Sequence, residues 1–158
     1  MADSDEIFLA LDGPLESAAE RVAGVLGLEF NGDLRADTGE LQYKVQARTF
    51  DGVIGVYVGP NGFQPEPDEV QAMDGYPLVV DVQSRNRKDA QAEETRLAFE
   101  ALVAALPDVA ALLSHNVEML VAAYLPGAGI HRFERGTTLD DPDLDTWRSW
   151  VVGPDRAI

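Results

Sequence analysis

The sequence predicts an α+β domain: a curved, mostly antiparallel sheet of about 4–6 strands with two main helices packed on one face. Three observations predict it. Leu15 to Leu26 and Asp89 to Leu106 carry apolar residues at helical spacing. Several short β-prone runs lie between and after them, bounded by Gly and Pro. Two of those runs flank Asp51-Gly52, a hairpin signal.

Ile7-Phe8-Leu9-Ala10-Leu11 is a short apolar run closed by Asp12-Gly13-Pro14, a buried strand followed by a turn. Pro14 sits where a helix can begin, and Glu16 falls in its first turn. Leu15, Ala19, Val22 and Leu26 recur on one helical face, and Gly27 follows as the residue that ends the helix. Asn31 to Glu40 is polar and reads as a loop. Tyr43 to Thr49 alternates apolar and polar residues, as in a strand with one face on a core and one in water. Asp51-Gly52 separates it from Val53 to Val58, and this pair suits the positive φ that a type I′ turn needs at both central residues.

Gly59 to Gly75 holds three prolines, four carboxylates and no Lys or Arg. Long connections of this kind are uncommon, and often functional or mobile. Leu78 to Val82 reads as a further strand, followed by the basic cluster Arg85, Arg87 and Lys88. That cluster reads either as an anion site at a helix start or as charge compensation, paired with Glu93 or the Gly59 to Gly75 loop. In the long helix, Ala90, Leu97, Ala101, Leu102 and Ala105 form the expected apolar stripe, widened by Phe99, Val103 and Leu106. Glu93, Arg96 and Glu100 lie on its outer face at pairing distance. Pro107 stops the helix, and Asp108 to Leu113 reads as one more helical turn. Val117 to Tyr124 is nearly continuous in apolar residues, a strand with a helix as the alternative. Ile130 to Phe133 reads as a short strand before Trp147 and Trp150 near the end.

The chain has 158 residues, with 28 Asp and Glu against 12 Lys and Arg, a formal net charge of −16. The length fits one domain over residues 1–158, with an acidic tail region from about residue 137. Such a balance repels nucleic acid and anionic membranes, and no clustered basic footprint for phosphate is present. It serves solubility, and it also suits a basic protein partner. There is no cysteine, so disulfides and thiolate metal sites are excluded. Met1 to Glu6 lacks the positive region of a signal peptide, and no apolar run approaches the roughly 20 residues of a membrane span. The expected compartment is the cytoplasm.

The motifs of catalysis are missing. His115 and His131 belong to no metal-binding spacing, and no G-x-S-x-G occurs. Counted from Asp141 as a calcium loop, the sixth position is Thr146 and the twelfth Val152, where Gly and Glu are needed. Asp143 or Asp145 would instead cap a short helix. Paired carboxylates are too abundant in this chain to single out a catalytic pair. We therefore expect no metal, no cofactor and no catalytic residue.

The order of segments resembles the small immunity proteins of bacterial polymorphic toxin systems, in particular the SitI3-like group. The similarity runs through the opening strand and helix ending in Leu26-Gly27-Leu28, the hairpin strand Val53 to Val58, and the strand Leu78 to Val82 leading into the helix from Leu97 to Leu106. It continues through Asn116-Val117-Glu118 to the Trp-containing tail. The long Pro-rich acidic insert, Gly59 to Gly75, departs from that pattern. The resemblance implies stoichiometric inhibition of a cognate toxin by occlusion, without catalytic residues. The expected function is thus a non-enzymatic acidic binding protein whose partner is a basic toxin or effector encoded nearby. A secretion-system chaperone and a small enzyme are the alternatives. The expected contacts are Glu66, Asp68, Glu69 and Asp74 in one acidic stretch, and Asp140, Asp141, Asp143, Asp145 and Trp147 in the other.

Overall fold

The computed structural model describes residues 4–35, 39–63 and 68–152. Among them the order of strands and helices is β1 (Asp5–Leu9), α1 (Leu15–Leu26), β2 (Glu29–Arg35), β3 (Glu40–Gln46), β4 (Val53–Pro60), β5 (Leu78–Gln83), α2 (Gln91–Ala105), β6 (Ala111–His115), β7 (Met119–Leu125), β8 (Gly129–Arg132) and α3 (Leu144–Trp147). All eight strands form one antiparallel sheet in the order β2-β3-β4-β5-β1-β6-β7-β8. The class is α+β, as expected. The count of 4–6 strands and two helices becomes eight strands and three helices, the third a single turn.

The first helix forms for the reasons its sequence offers. Pro14 precedes it in extended geometry, and Gly27 ends it with φ 69°. The N–H groups of Gly27 and Leu28 both reach the Ala23 carbonyl, which a left-handed residue permits. Ala18, Ala19, Val22 and Leu26 bury its inner face. With Phe99 and Leu102 of α2 they cover one face of the sheet, made by Ile7, Leu9, Val56, Val58, Val80 and Val82.

Four local expectations are corrected. The polar stretch 31–40 is not all loop, because β2 occupies its first half as an edge strand. Register shifts after Phe30 and after Asp33 break the two-residue period that would have revealed it. Asp108 to Leu113 is not a helical turn. Its second half opens β6, which pairs with β1 on one side and β7 on the other. The α2 stripe is also displaced: Gln91, Glu94, Thr95, Phe99 and Leu102 are buried, while Ala105 is exposed. Polar side chains can face inward there because each is bonded. Gln91 accepts the Ser84 N–H at 3.0 Å, and the Thr95 hydroxyl donates to the Gln91 carbonyl at 2.8 Å.

The fourth correction concerns the hairpin. Strands β3 and β4 do pair, but Gln46 faces Val53 across a six-residue loop and not a two-residue turn at Asp51-Gly52. The buried Glu94 carboxylate holds that loop, accepting the N–H groups of Arg48 (2.9 Å) and Thr49 (2.7 Å) and the Thr49 hydroxyl (2.6 Å). A tertiary acceptor has replaced the local turn. Positive φ at two central residues is found instead between β6 and β7, at Asn116 (54°) and Val117 (52°), with the Glu118 N–H donating to the His115 carbonyl at 3.0 Å.

Candidate functional site

The second face of the sheet is divided. Around Phe8 of β1, Leu112 of β6 and Leu120 and Ala123 of β7 it is apolar, and these four lie beneath Ala72, Met73, Tyr76, Trp147 and Val151. Two chain segments make this cover, residues 71–76 and 139–151. Over β3, β4 and β5 the same face is polar.

Register lines up the polar side chains. Gln42 faces Tyr57, Tyr57 faces Asp81, Asp81 faces Glu6, and Glu6 faces Ser114. This row crosses five neighbouring strands. Part of it floors a groove of about 550 Å³, which is also lined by Ser4, Glu40, Phe63, Val79 and Val117. A second hollow of about 260 Å³ shares Tyr57 and is lined by Lys44, Gln83 and Arg85 at its basic end. The Arg85 guanidinium reaches the Tyr57 hydroxyl at 3.4 Å.

The two central carboxylates differ in their surroundings. Glu6 is 2% exposed. It accepts the hydroxyls of Ser4 and of Ser114 (2.8 Å) and the Val117 N–H (2.9 Å). Burial raises its pKa against the opposing effect of those bonds. Among the described residues Asp81 has only a long bond from the Gln83 amide, 3.3 Å at one oxygen, and its other oxygen is buried without a partner. Burial, reinforced by the charge of Glu6 across the strand, pushes Asp81 up to about 7. A carboxyl in that range can exchange a proton or balance a cation near neutrality.

Val117, on the groove wall, has φ 52°, a costly conformation for a β-branched residue. Its N–H bond to Glu6 and the Asn116 N–H bond to the Ser4 carbonyl (2.7 Å) hold the turn in place.

The two acidic stretches lie on the cover, and the fold brings them together. The Val70 N–H donates to Asp141 Oδ1 at 2.9 Å, the Gln71 amide donates to Asp140 Oδ1 at 2.9 Å, and the Ala72 N–H donates to the Leu139 carbonyl at 2.9 Å. Asp68, Glu69, Asp140, Asp141 and Asp145 are exposed along this ridge. Glu66 lies outside the described residues. Asp74 is half-buried, accepts the Gln71 N–H at 2.9 Å, and is raised by burial with a further contribution from Asp141. Asp143 stands at the N-cap position of α3, but its side chain makes no capping bond. It accepts the Thr138 N–H (2.7 Å) and hydroxyl (2.8 Å), which lower its pKa. Trp147 is buried at 3%, its indole N–H donating to the Asp140 carbonyl at 3.2 Å, so it supports the ridge from below. Trp150 stacks on His131 at 4.0 Å.

Of the two readings of the basic cluster, charge compensation holds for Arg87, with Asp89 as its partner in place of Glu93. Arg87 makes two 2.9 Å bonds to Asp89 and lies over the Phe50 ring. Among the described residues no group of three His, Asp or Glu side chains could hold a metal ion, and no helix is long and apolar enough to cross a membrane. Sequence reading passed over the groove. Its one signal was a charged residue inside an apolar strand, Asp81 in Leu78-Val79-Val80-Asp81-Val82, and only strand register shows that Glu6 stands opposite. No family model, no curated protein and no solved structure matches the chain.

Proposed function

We propose that the chain is a non-enzymatic binding protein that neutralises a basic partner, a bacterial toxin, by docking it on the acidic ridge. One observation carries the reading: two acidic stretches some seventy positions apart in sequence form one surface, joined by three hydrogen bonds. A backbone tied down in this way presents its charges in a set geometry, which lowers the ordering cost of association. Complementary charge speeds encounter by orders of magnitude and is screened by salt. A standard interface needs about 800 Å² per partner, more than five side chains offer, so the partner would extend over neighbouring surface.

The test is association and protection with the product of the adjacent gene. The expected result is a 1:1 complex at low salt and rescue of cells that express the toxin. Replacing Asp68, Glu69 and Asp145 together by Lys should slow association at least tenfold and flatten its salt dependence, with little effect on dissociation. Failure to associate at low salt, together with no protection on co-expression, would overturn the reading.

A further inference from the structure

The groove beside the ridge has chemistry of its own. Among the described residues every formally charged side chain that lines it is a carboxylate: Glu6, Glu40 and Asp81. Phe63, Val79, Val117 and Pro60 supply apolar wall, and Tyr57, opposite Asp81 in register, lines the groove as well. Phe63 is held edge-on against Phe8, with ring centres 6.0 Å apart, so this wall is continuous with the packed cover.

The three acids are not equivalent. Glu6 is spent on structure, since Ser4, Ser114 and Val117 occupy its oxygens. Asp81 is not, because its Oδ1 is buried and, among the described residues, without a donor. Native proteins seldom leave a buried acceptor unpaired. An anion would meet three negative groups here. A divalent cation would need more oxygen ligands than converge, because no trio of acidic or imidazole groups among the described residues could hold one. A wholly apolar guest would leave the carboxylates desolvated and unmatched. What remains is a single positive charge on an apolar stem, which an aromatic ring also favours. A space of about 550 Å³ is in the range of small-molecule sites.

We infer that this groove is a binding site for an organic cation, an alkylammonium or guanidinium group on an aliphatic stem, with Asp81 as its counter-ion. The stem lies along Val79, Phe63 and Val117, and the charged head sits over the Tyr57, Asp81 and Glu6 row. The cation can arrive as a free amine or as a Lys or Arg side chain, and the groove recognises the same chemistry in both. The inference does not rest on toxin binding by the ridge.

The experiment is an NMR titration of the whole chain with n-butylammonium and n-butylguanidinium, and with capped Gly-Lys-Gly and Gly-Arg-Gly peptides. Butanol and a capped Gly-norleucine-Gly peptide are the uncharged controls. Saturable shifts centred on the amides of Glu6, Tyr57, Val79, Asp81 and Val117 are expected with the cations and not with the controls. Binding by the free cations alone points to a small amine, and binding by the peptides alone to a partner's side chain. Asp81→Asn should weaken binding at least tenfold. Gly62→Phe should weaken it too, because Gly62 lines the groove and a Cβ added there meets no other atom within 4 Å, so the position accepts a ring that takes up groove volume. Affinity should fall severalfold from pH 8 to pH 6 as Asp81 is protonated, with Glu6 on β1, Tyr57 on β4 and Glu40 on β3 facing it. No localised shifts with any cationic probe, equal shifts with butanol, or unchanged binding by Asp81→Asn would overturn the inference.

Discussion

The two halves of the second sheet face are built from the same kind of strand and end differently. Over β6 and β7 the outward positions are apolar apart from Ser114 beside Glu6, and the chain returns twice to cover them with Met73, Tyr76, Trp147 and Val151. Over β3, β4 and β5 the outward positions are mostly polar, Gln42, Lys44, Tyr57, Asp81 and Gln83 with Val79 among them, and two hollows that share Tyr57 lie on them. Strand β1 is the boundary, with Glu6 on one side of the change and Phe8 on the other, two residues apart on the same face. The difference shows that cover follows apolar surface, because burying the polar row would demand a partner for every donor and acceptor in it. It also leaves Asp81 beside a packed wall, where a carboxyl is poorly hydrated but still reachable.

The sharpest way to break the contrast is to remove the keystone of the covered half. Trp147→Ala should destabilise the protein by about 3–5 kcal/mol, the usual cost of deleting a buried aromatic side chain. Urea unfolding would show it, and the acidic ridge should loosen with it, because the Asp140 carbonyl loses its indole donor. If the cost is under about 1 kcal/mol, the cover is not what stabilises that half.

The uncovered half should respond in the opposite direction. Burial, and then the charge of Glu6, push Asp81 up to about 7, against 3.8 for an ordinary aspartate. A raised acid contributes its stability below the unfolded value, and that contribution is lost as pH climbs from about 4 through about 7. Asp81→Asn escapes this loss. It should therefore be more stable than the parent by on the order of 2–4 kcal/mol at pH 8, and no more stable at pH 4, since one pKa unit is worth about 1.4 kcal/mol and the groove is partly open to water. Thermal melts across that range would decide, and a gain that does not depend on pH would contradict the assignment.

A smaller effect is expected at the boundary turn. Val117→Gly should raise stability by about 0.5–1 kcal/mol, because glycine adopts positive φ without the clash that valine suffers. A loss of stability would mean that valine's packing on the cover outweighs its strain.

Much of the frame was legible from residue order. Helix α1 lies where Pro14 and Gly27 placed it, and β5 and β7 follow their apolar runs closely. The Arg96 pairs with Glu93 and Glu100 follow from their spacing. What was not legible depended on distant groups. The displaced α2 stripe needs Ser84 and the 47–52 loop as bonding partners for Gln91 and Glu94. The opening residues of β6 are as short and apolar as a helical turn, and only β1 and β7 on either side settle their form.

By itself the sequence determined the α+β class, the two long helices, the absence of thiol chemistry and the strongly negative charge. These follow from local periodicity, turn chemistry and composition, which need no knowledge of the partner strands. Tertiary structure alone decided that Asp81 stands opposite Glu6, that Trp147 lies under the acidic ridge, and that residues 70–72 are bonded to residues 139–141. Register and long-range hydrogen bonds set those neighbours. They turn carboxylates that look alike in the sequence into a structural anchor at Glu6, an unpaired acceptor at Asp81 and an exposed ridge around Asp141.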